Sequence, residues 1–342
     1  MLFYRKKLKK NINVKGSSID ILDKRTSMWK PLFLILPALI VIVLFVIIPF
    51  ITAANDGFHY ENKSLHTHRE SAKIFGTDNF RRLFQNKEFK SAISNSMLYA
   101  LISIPIILLL SLIISSAIST LIRKRLRGFW QTIFFLPYVT SAIAIGLTFA
   151  YIFDYDRGLM NKAFGIKVPW LIDTKGHSAL WAMLIYGVWK GLAFNILIFT
   201  TAMLSIDKKL YKASSIDGAG PIRQFFTITL PSIKSTLSFL FTMGLISAIK
   251  VFPLALFSNK PEIAGRYNGS TILLYIYEKI SVDHNYAMAG AASLVLVGIS
   301  IGFTIVVRTS TKLIGKSIGK EGERYVQAKI KASEKNKQKK TY

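Results

Sequence analysis

PLFLILPALIVIVLFVIIPFI, Pro31 to Ile51, runs 21 residues without a charged side chain. Coiled as a helix at about 1.5 Å per residue it reaches across about 30 Å, the thickness of the hydrocarbon core of a bilayer. Five further windows of that kind follow, approximately Ile93 to Leu121, Phe129 to Phe153, Ala179 to Leu204, Ser235 to Phe257 and Ala287 to Val307. With no water to bond the main chain, each must be helical to satisfy its own N–H and C=O groups. The expected fold class is an all-α membrane protein with six transmembrane helices. The composition agrees: 51% of the 342 residues are hydrophobic, 18% are charged, and the mean hydropathy is +0.38.

The fifth window is the weakest, broken by Ser, Thr, Gly and Pro253, and a five-span chain is the alternative. The distribution of basic residues separates the two. Alternate loops and both tails of a six-span chain hold 29 Lys and Arg on one side against 14 on the other, and cytoplasmic flanks carry such an excess. Six spans therefore put both termini in the cytoplasm. Residues 1–30 read as a basic cytoplasmic N-tail, 31–307 as the membrane domain, and 308–342 as a basic, polar C-tail near an anionic leaflet. Small residues Thr52, Ala53 and Ala54 after the first window offer a signal-cleavage site. An apolar run of 21 residues exceeds the h-region of a signal peptide, so an uncleaved anchor is expected.

The net charge of +27 sits beside apolar runs and so speaks of membrane topology, with no nucleic-acid partner expected. The absence of cysteine removes disulfides, thiolate nucleophiles and Cys-ligated metal. None of the six windows contains Asp or Glu, which removes paired-carboxylate hydrolysis and carboxylate proton relays. His59, His66, His68, His177 and His284 fall in loops without zinc-pair spacing, and no metal is expected. Gly315-Lys316-Ser317 lacks both the first glycine of a phosphate loop, replaced by Ser310, and a preceding strand. No catalytic residue is assigned.

The first loop contains GTDNFRRLFQNKEFKSAISNS, Gly76 to Ser96, in which Phe80, Leu83, Phe84 and Phe89 share a helical face and Asp78 is available as N-cap. That helix either faces an interface or partner or packs on its own spans. Gly187 with Gly191, and Gly298 with Gly302, have the spacing that lets helices approach closely, and Ala287, Ala289, Gly290, Ala291 and Ala292 extend the small face of the last window. Two lysines lie inside windows, where charge is costly and marks a functional candidate. Lys190, with Trp189 and Asn195, offers an apolar face plus hydrogen-bond donors suited to a ring-shaped polar solute; the bland alternative is a lysine pairing across the bundle. Lys250 lies nearer a helix end, where snorkelling competes with a place on the path.

DKKLYKASSIDGAGPIRQFFTITLP, Asp207 to Pro231, lies in the loop 205–234 and reads as two short helices joined by a tight turn. Asp207 can cap the first, Gly218 and Gly220 can end it, and Pro221 can open the second. The small residues Ala213, Ser214, Ser215, Gly218 and Ala219, beside Leu210 and Tyr211, make a compact knob another protein can approach closely.

This stretch resembles the EAA loop of permease subunits in binding-protein-dependent ABC importers. The matching positions are Lys212-Ala213-Ser214, Ser215-Ile216-Asp217, Gly218-Ala219 and the closing Ile228-Thr229-Leu230-Pro231, with Lys212 standing where the family has glutamate and Ser214 where it has the second alanine. LFLILPALIVIVLFVIIPF, GTDNFRRLF, FFLPYVTSAIAIGLTFAYIF, VWKGLAFNILIFTTAMLSI and ILLYIYEK are similar to the maltose-type carbohydrate branch, while Pro253 stands where relatives often have Asp. The resemblance implies a type I ABC importer permease-like bundle that moves a sugar or oligosaccharide. It also implies a second homologous permease, an extracytoplasmic solute-binding protein, and two ATPase subunits that hold ATP and Mg, with no cofactor in this chain. Leu210, Tyr211, Lys212, Ala213, Ser214, Asp217, Gly218 and Ala219 would contact the ATPase. Trp189, Lys190, Asn195 and Lys250 are the candidates for the solute path. An importer of another solute, such as glycerol phosphate, is the nearest alternative; a membrane enzyme or a scaffold is the remote one.

Overall fold

The computed structural model describes residues 29–61, 73–174 and 176–310. The basic N-tail up to residue 28, His66 and His68, the Gly315-Lys316-Ser317 triplet, and the C-tail from residue 311 lie outside the described residues. The chain divides into two compact units, Met1–Thr52 and Ala53–Tyr342.

The first unit contains the helix Trp29–Ile42 and a π-helical turn, Val43–Ile47, where the Ile48 N–H reaches back to the Val43 carbonyl. The helix then continues as Ile48–Phe58 into the second unit. Among the described residues, five helices are long and apolar enough to cross a bilayer: Leu32–Phe58, Lys87–Thr120, Ser178–Leu204, Lys234–Phe257 and Tyr286–Ser310. The expected third span is no straight rod. Lys124–Val139 and Ala142–Ile152 meet at 91°, and this bent pair, counted as one, makes the sixth span.

The bend has a local cause. Thr140 takes an extended conformation, both its N–H and its Oγ1 bond the Leu136 carbonyl, and Ser141 Oγ caps the next helix through the Ala144 N–H. Side-chain oxygens thus offer the backbone an alternative to continuing the helix, three and four residues after Pro137. The fifth span, kept in the sequence reading despite its interruptions, breaks in a similar way. Its helix runs Lys234–Ile249, Lys250 caps it, and after Pro253 a 3₁₀ turn, Leu254–Phe257, packs Ala255 against Gly146 of the bent pair.

Within the second unit the core lies between the second, fourth and fifth spans, with Tyr99, Ile104, Met183, Phe199, Leu240 and Leu245 buried. Gly57 and Gly290 face each other so closely that a Cβ on Gly57 would stand 2.8 Å from the Ala291 nitrogen, so the last span uses its small residues to pack on the first loop's approach. Gly298 and Gly302 have open space around them.

The first loop carries a two-stranded antiparallel ribbon, His59–Glu61 with Lys73–Phe75. The helix Asp78–Gln85 packs on its own chain: Leu83 is fully buried and Phe84 half-exposed, while Phe89, also fully buried, belongs to the next helix, Lys87–Thr120. Asp78 is the first helical residue and not the cap; Thr77 holds that position, and Asp78 instead pairs with Arg82 at 2.9 Å. Buried Asn79 fixes the helix by donating to the Gly57 and His59 carbonyls at 3.0 and 2.9 Å. At the same end of the bundle, Asn95 donates to the Asn268 and Ser270 carbonyls, and Ser96 Oγ accepts the Ile272 N–H. These bonds tie the start of the second span to the helix Ile272–Ser281, as expected where buried polar groups must be paired.

Glu278 on that helix faces Glu88, and Glu88 Oε1 and Glu278 Oε2 are both buried without a donor. Burial raises the Glu278 carboxyl to about 7, with the nearby Glu88 charge and hydrogen bonding to Glu88 adding to it; Lys279 opposes the rise and Asp283 adds to it. A proton on Glu278 supplies the missing donor between the two carboxyl groups. A carboxyl whose folded-state value is raised binds more protons folded than unfolded, so stability is full below the ordinary value of 4.5 and is lost as pH rises towards about 7. Thermal unfolding of the detergent-purified protein should therefore show Tm falling between those limits. Glu278→Gln, neutral at every pH, should flatten that slope; an equally steep fall in the variant would remove Glu278 as its source.

Candidate functional site

The second, fourth and fifth spans line a half-open cavity of about 590 Å³, with Tyr138 reaching it from just before the bend. The approach of helices that shapes one wall is set by glycine. A Cβ on Gly187 would collide with the Tyr99 hydroxyl, and one on Gly191 would stand 2.7 Å from Ile107 Cδ1. Lys190 and Asn195, both singled out in the sequence, are brought together at this cavity. The Lys190 ammonium lies 5.9 Å from the centre of the Tyr186 ring. Asn195 donates to the Gly191 carbonyl at 2.8 Å, one turn back on its own helix, which leaves its amide oxygen free to accept.

Trp189 and Lys250 lie elsewhere. Trp189, one residue from Lys190 and so about 100° around the helix, packs its ring at a tilt against Phe149, with centroids 5.3 Å apart, and is absent from the lining. Lys250 is exposed at the end of its helix and also outside the lining, although Val251, Phe252 and Pro253 beside it contribute. The sequence reading missed Tyr99, Ser103, Tyr138 and Tyr186. A signal for three of them was available: Tyr99 and Ser103 are four apart, as are Tyr186 and Lys190, so each pair shares a helical face within an otherwise apolar run. Ser103 is fully buried and its hydroxyl has no partner.

The loop between the fourth and fifth spans forms the two helices expected. Asp207 caps Lys208–Ile216 through the Lys209 N–H at 2.9 Å, and Gly218 ends it at φ +74° with its own N–H on the Ser215 carbonyl. Gly220 then precedes Pro221 at the start of Pro221–Gln224, followed by a π-helical turn, Phe225–Thr229. Side chains hold the elbow shut. Gln224 donates towards the Tyr211 and Ala219 carbonyls and Ser215 Oγ, and the Tyr211 hydroxyl bonds Thr229 Oγ1 at 2.8 Å. Gln224 carries no signal in the sequence beyond its position. Lys212, Ala213, Asp217 and Gly218 are exposed, Ser214 and Ala219 partly so, and the apolar Leu210, Ile216 and Ile222 also face outward. Nothing stands within 4 Å of a Cβ built on Gly218, so only its backbone conformation demands glycine within this chain.

A cavity of this kind in a bundle of spans, joined to an exposed helical elbow, agrees with the comparisons. Residues 112–320 match the family described as "Binding-protein-dependent transport system inner membrane component". The chain belongs to this family. A probable ABC transporter permease protein of Mycoplasma genitalium is 46% identical over 91% of this chain and 94% of its own length. An sn-glycerol-3-phosphate transport system permease protein of Pectobacterium atrosepticum is 28% identical over 82% of this chain and 93% of its own. The fold is similar to that of a bacterial ABC transporter involved in the import of the acidic polysaccharide alginate, with a TM-score of 0.66 at 23% identity over 83% of this chain and 95% of that one. The protein is thus a multi-pass ABC transporter permease, a transport component rather than an enzyme, and it works with partner subunits.

In this permease Gly187→Ala should drive a methyl group into the Tyr99 hydroxyl and cost about 1–3 kcal/mol of stability, the range for overpacking. Tyr99→Phe, which removes the colliding oxygen, should recover part of that loss in the double variant. Unfolding midpoints of the four proteins test this, since a strictly additive cycle would mean the two residues do not meet.

Proposed function

We propose that the chain is the permease subunit of an ATP-driven importer that brings a sugar or oligosaccharide into the cell. It sits in the plasma or inner membrane with both termini cytoplasmic. The solutes of its relatives, a glycerol phosphate for one and a polysaccharide for another, support a polyhydroxylated cargo. A second, homologous permease completes the path, an extracytoplasmic binding protein delivers the solute, and two ATPase subunits bind ATP and Mg. This chain binds no cofactor of its own.

The exposed elbow from Leu210 to Ala219 carries the reading. Leu210, Tyr211, Lys212, Ala213, Ser214, Asp217, Gly218 and Ala219 form the surface that docks on an ATPase. The Gln224 and Tyr211 bonds join its two helices into one piece, which leads through Leu230–Ser232 directly into the fifth span, a wall of the cavity. Closure of the ATPases around ATP then moves the elbow as a rigid body and switches access to the cavity from one side of the membrane to the other. The biased partner states, not chemistry in this chain, supply the direction.

Because the chain has no cysteine, Ile216→Cys places a unique thiol on the elbow. A membrane-impermeant thiol reagent should label it in inside-out vesicles and not in intact cells, and a cross-linker should join it to an ATPase subunit. Labelling from the outside would overturn the orientation. Gly218→Leu, which combines a strained backbone with added volume, should abolish uptake by the reconstituted complex while insertion into the membrane stays normal. Uptake at the wild-type rate would reject the docking surface.

A further inference from the structure

Lys190 is the only charged residue lining the cavity among the described residues. Among the described residues no carboxylate lies within ion-pair distance of it, and the sequence places no Asp or Glu in any of the apolar windows. It sits in the middle of the helix Ser178–Leu204, about 18 Å or more from either end at about 1.5 Å per residue. That span is longer than a lysine stem, so the ammonium has no route along the helix to the headgroups. A cation kept at membrane depth without a partner is costly, and the Tyr186 ring face at 5.9 Å offsets only part of that cost.

Polar groups gather around it. Tyr99, Tyr138 and Tyr186 bring phenolic oxygens, Ser103 a fully buried hydroxyl with no partner, and Asn195 a free amide oxygen, all to the one cavity. The set provides hydrogen bonds for hydroxyl groups and a single positive charge, with nothing negative among the described residues of this chain to balance it. We propose that Lys190 pairs with a negative charge on the transported molecule, so that the cargo is an anionic sugar or polyol: a carboxylate or phosphate ester held by the ammonium, its hydroxyls held by Ser103, Asn195 and the tyrosines. This rests on the importer reading and narrows it, and it makes Lys190 a specificity-determining residue of the path. The carboxylate and phosphate forms share the same recognition chemistry.

The complete transporter, with its binding protein, reconstituted in proteoliposomes tests this with labelled neutral sugars, hexuronates, sugar phosphates and glycerol phosphate. Wild type should import members of one or both anionic classes and not the neutral sugars, and which of the two is imported distinguishes carboxylate from phosphate. At saturating loaded binding protein, Lys190→Met should slow import of the anion about tenfold or more, the worth of a hydrogen bond to a charged group, whereas Lys190→Arg should keep it. ATPase activity stimulated by the loaded binding protein reports that Lys190→Met is assembled. Wild-type preference for neutral sugars overturns the proposal, as does anion import at an unchanged rate in an assembled Lys190→Met complex, which would mean that another subunit balances the charge. Failure of the wild-type complex to import any of the panel with ATP counts against the importer reading itself and is told apart by that.

Discussion

The close contact between the second and fourth spans is the constraint on which the rest of the molecule depends. Gly187 and Gly191 remove two side chains from the seam, and Tyr99 and Ile107 fill the space. Lipid tails are as apolar as leucine, so helices in a bilayer gain little by hiding hydrophobic surface; dispersion between well-fitted surfaces has to hold them. The same seam sets the helix rotation. With Gly187 and Gly191 turned to the second span, Lys190 and Asn195 are turned to the cavity edge, and Trp189 is turned to Phe149. One packing decision therefore determines which polar groups line the cavity.

Two rigid pieces meet at the fifth span. At one end is the hydrogen-bonded elbow with Gln224 at its centre; at the other, Lys250 and Pro253 end the helix, and Leu254–Phe257 packs on the bent pair. Thr271 Oγ1 bonds the Val251 carbonyl at 2.9 Å and so joins that far end to the helix Ile272–Ser281. The interruptions that make this span weak in hydropathy are thus its points of attachment. A continuous apolar helix there would slide past its neighbours with nothing to grip.

Most of the fold was legible in the sequence because the bilayer imposes one period and one length on every span. The basic-residue asymmetry rescued the fifth span where hydropathy wavered. The bend was not read, since Thr140 and Ser141 are apolar enough in aggregate to pass inside a window, and their effect comes from side-chain oxygens competing for backbone bonds. Small-residue spacing was readable but not its use: Gly187 and Gly191 are filled by neighbours, while Gly298 and Gly302, with the same spacing, meet none. At the cavity, Lys190 stood out because charge in a membrane is rare. Tyr99 and Ser103 did not, because a tyrosine or serine costs little in a span and only the facing helix gives it meaning. The Asp207, Gly218 and Pro221 punctuation was fully readable, as local backbone chemistry usually is.

The right-angle turn at Thr140 and Ser141 sets a condition on the backbone. Helices that stop partway leave main-chain groups that hydrocarbon cannot solvate, and such backbone survives at membrane depth only when shielded by protein or bathed in water. Leu136, Tyr138, Val139 and Ile143 around the turn are all exposed in the chain taken alone. The chain meets that condition with its own oxygens: the Thr140 N–H and Oγ1 share the Leu136 carbonyl and Ser141 Oγ takes the Ala144 N–H, so the corner presents hydrocarbon with apolar side chains over a backbone whose loose ends are already tied.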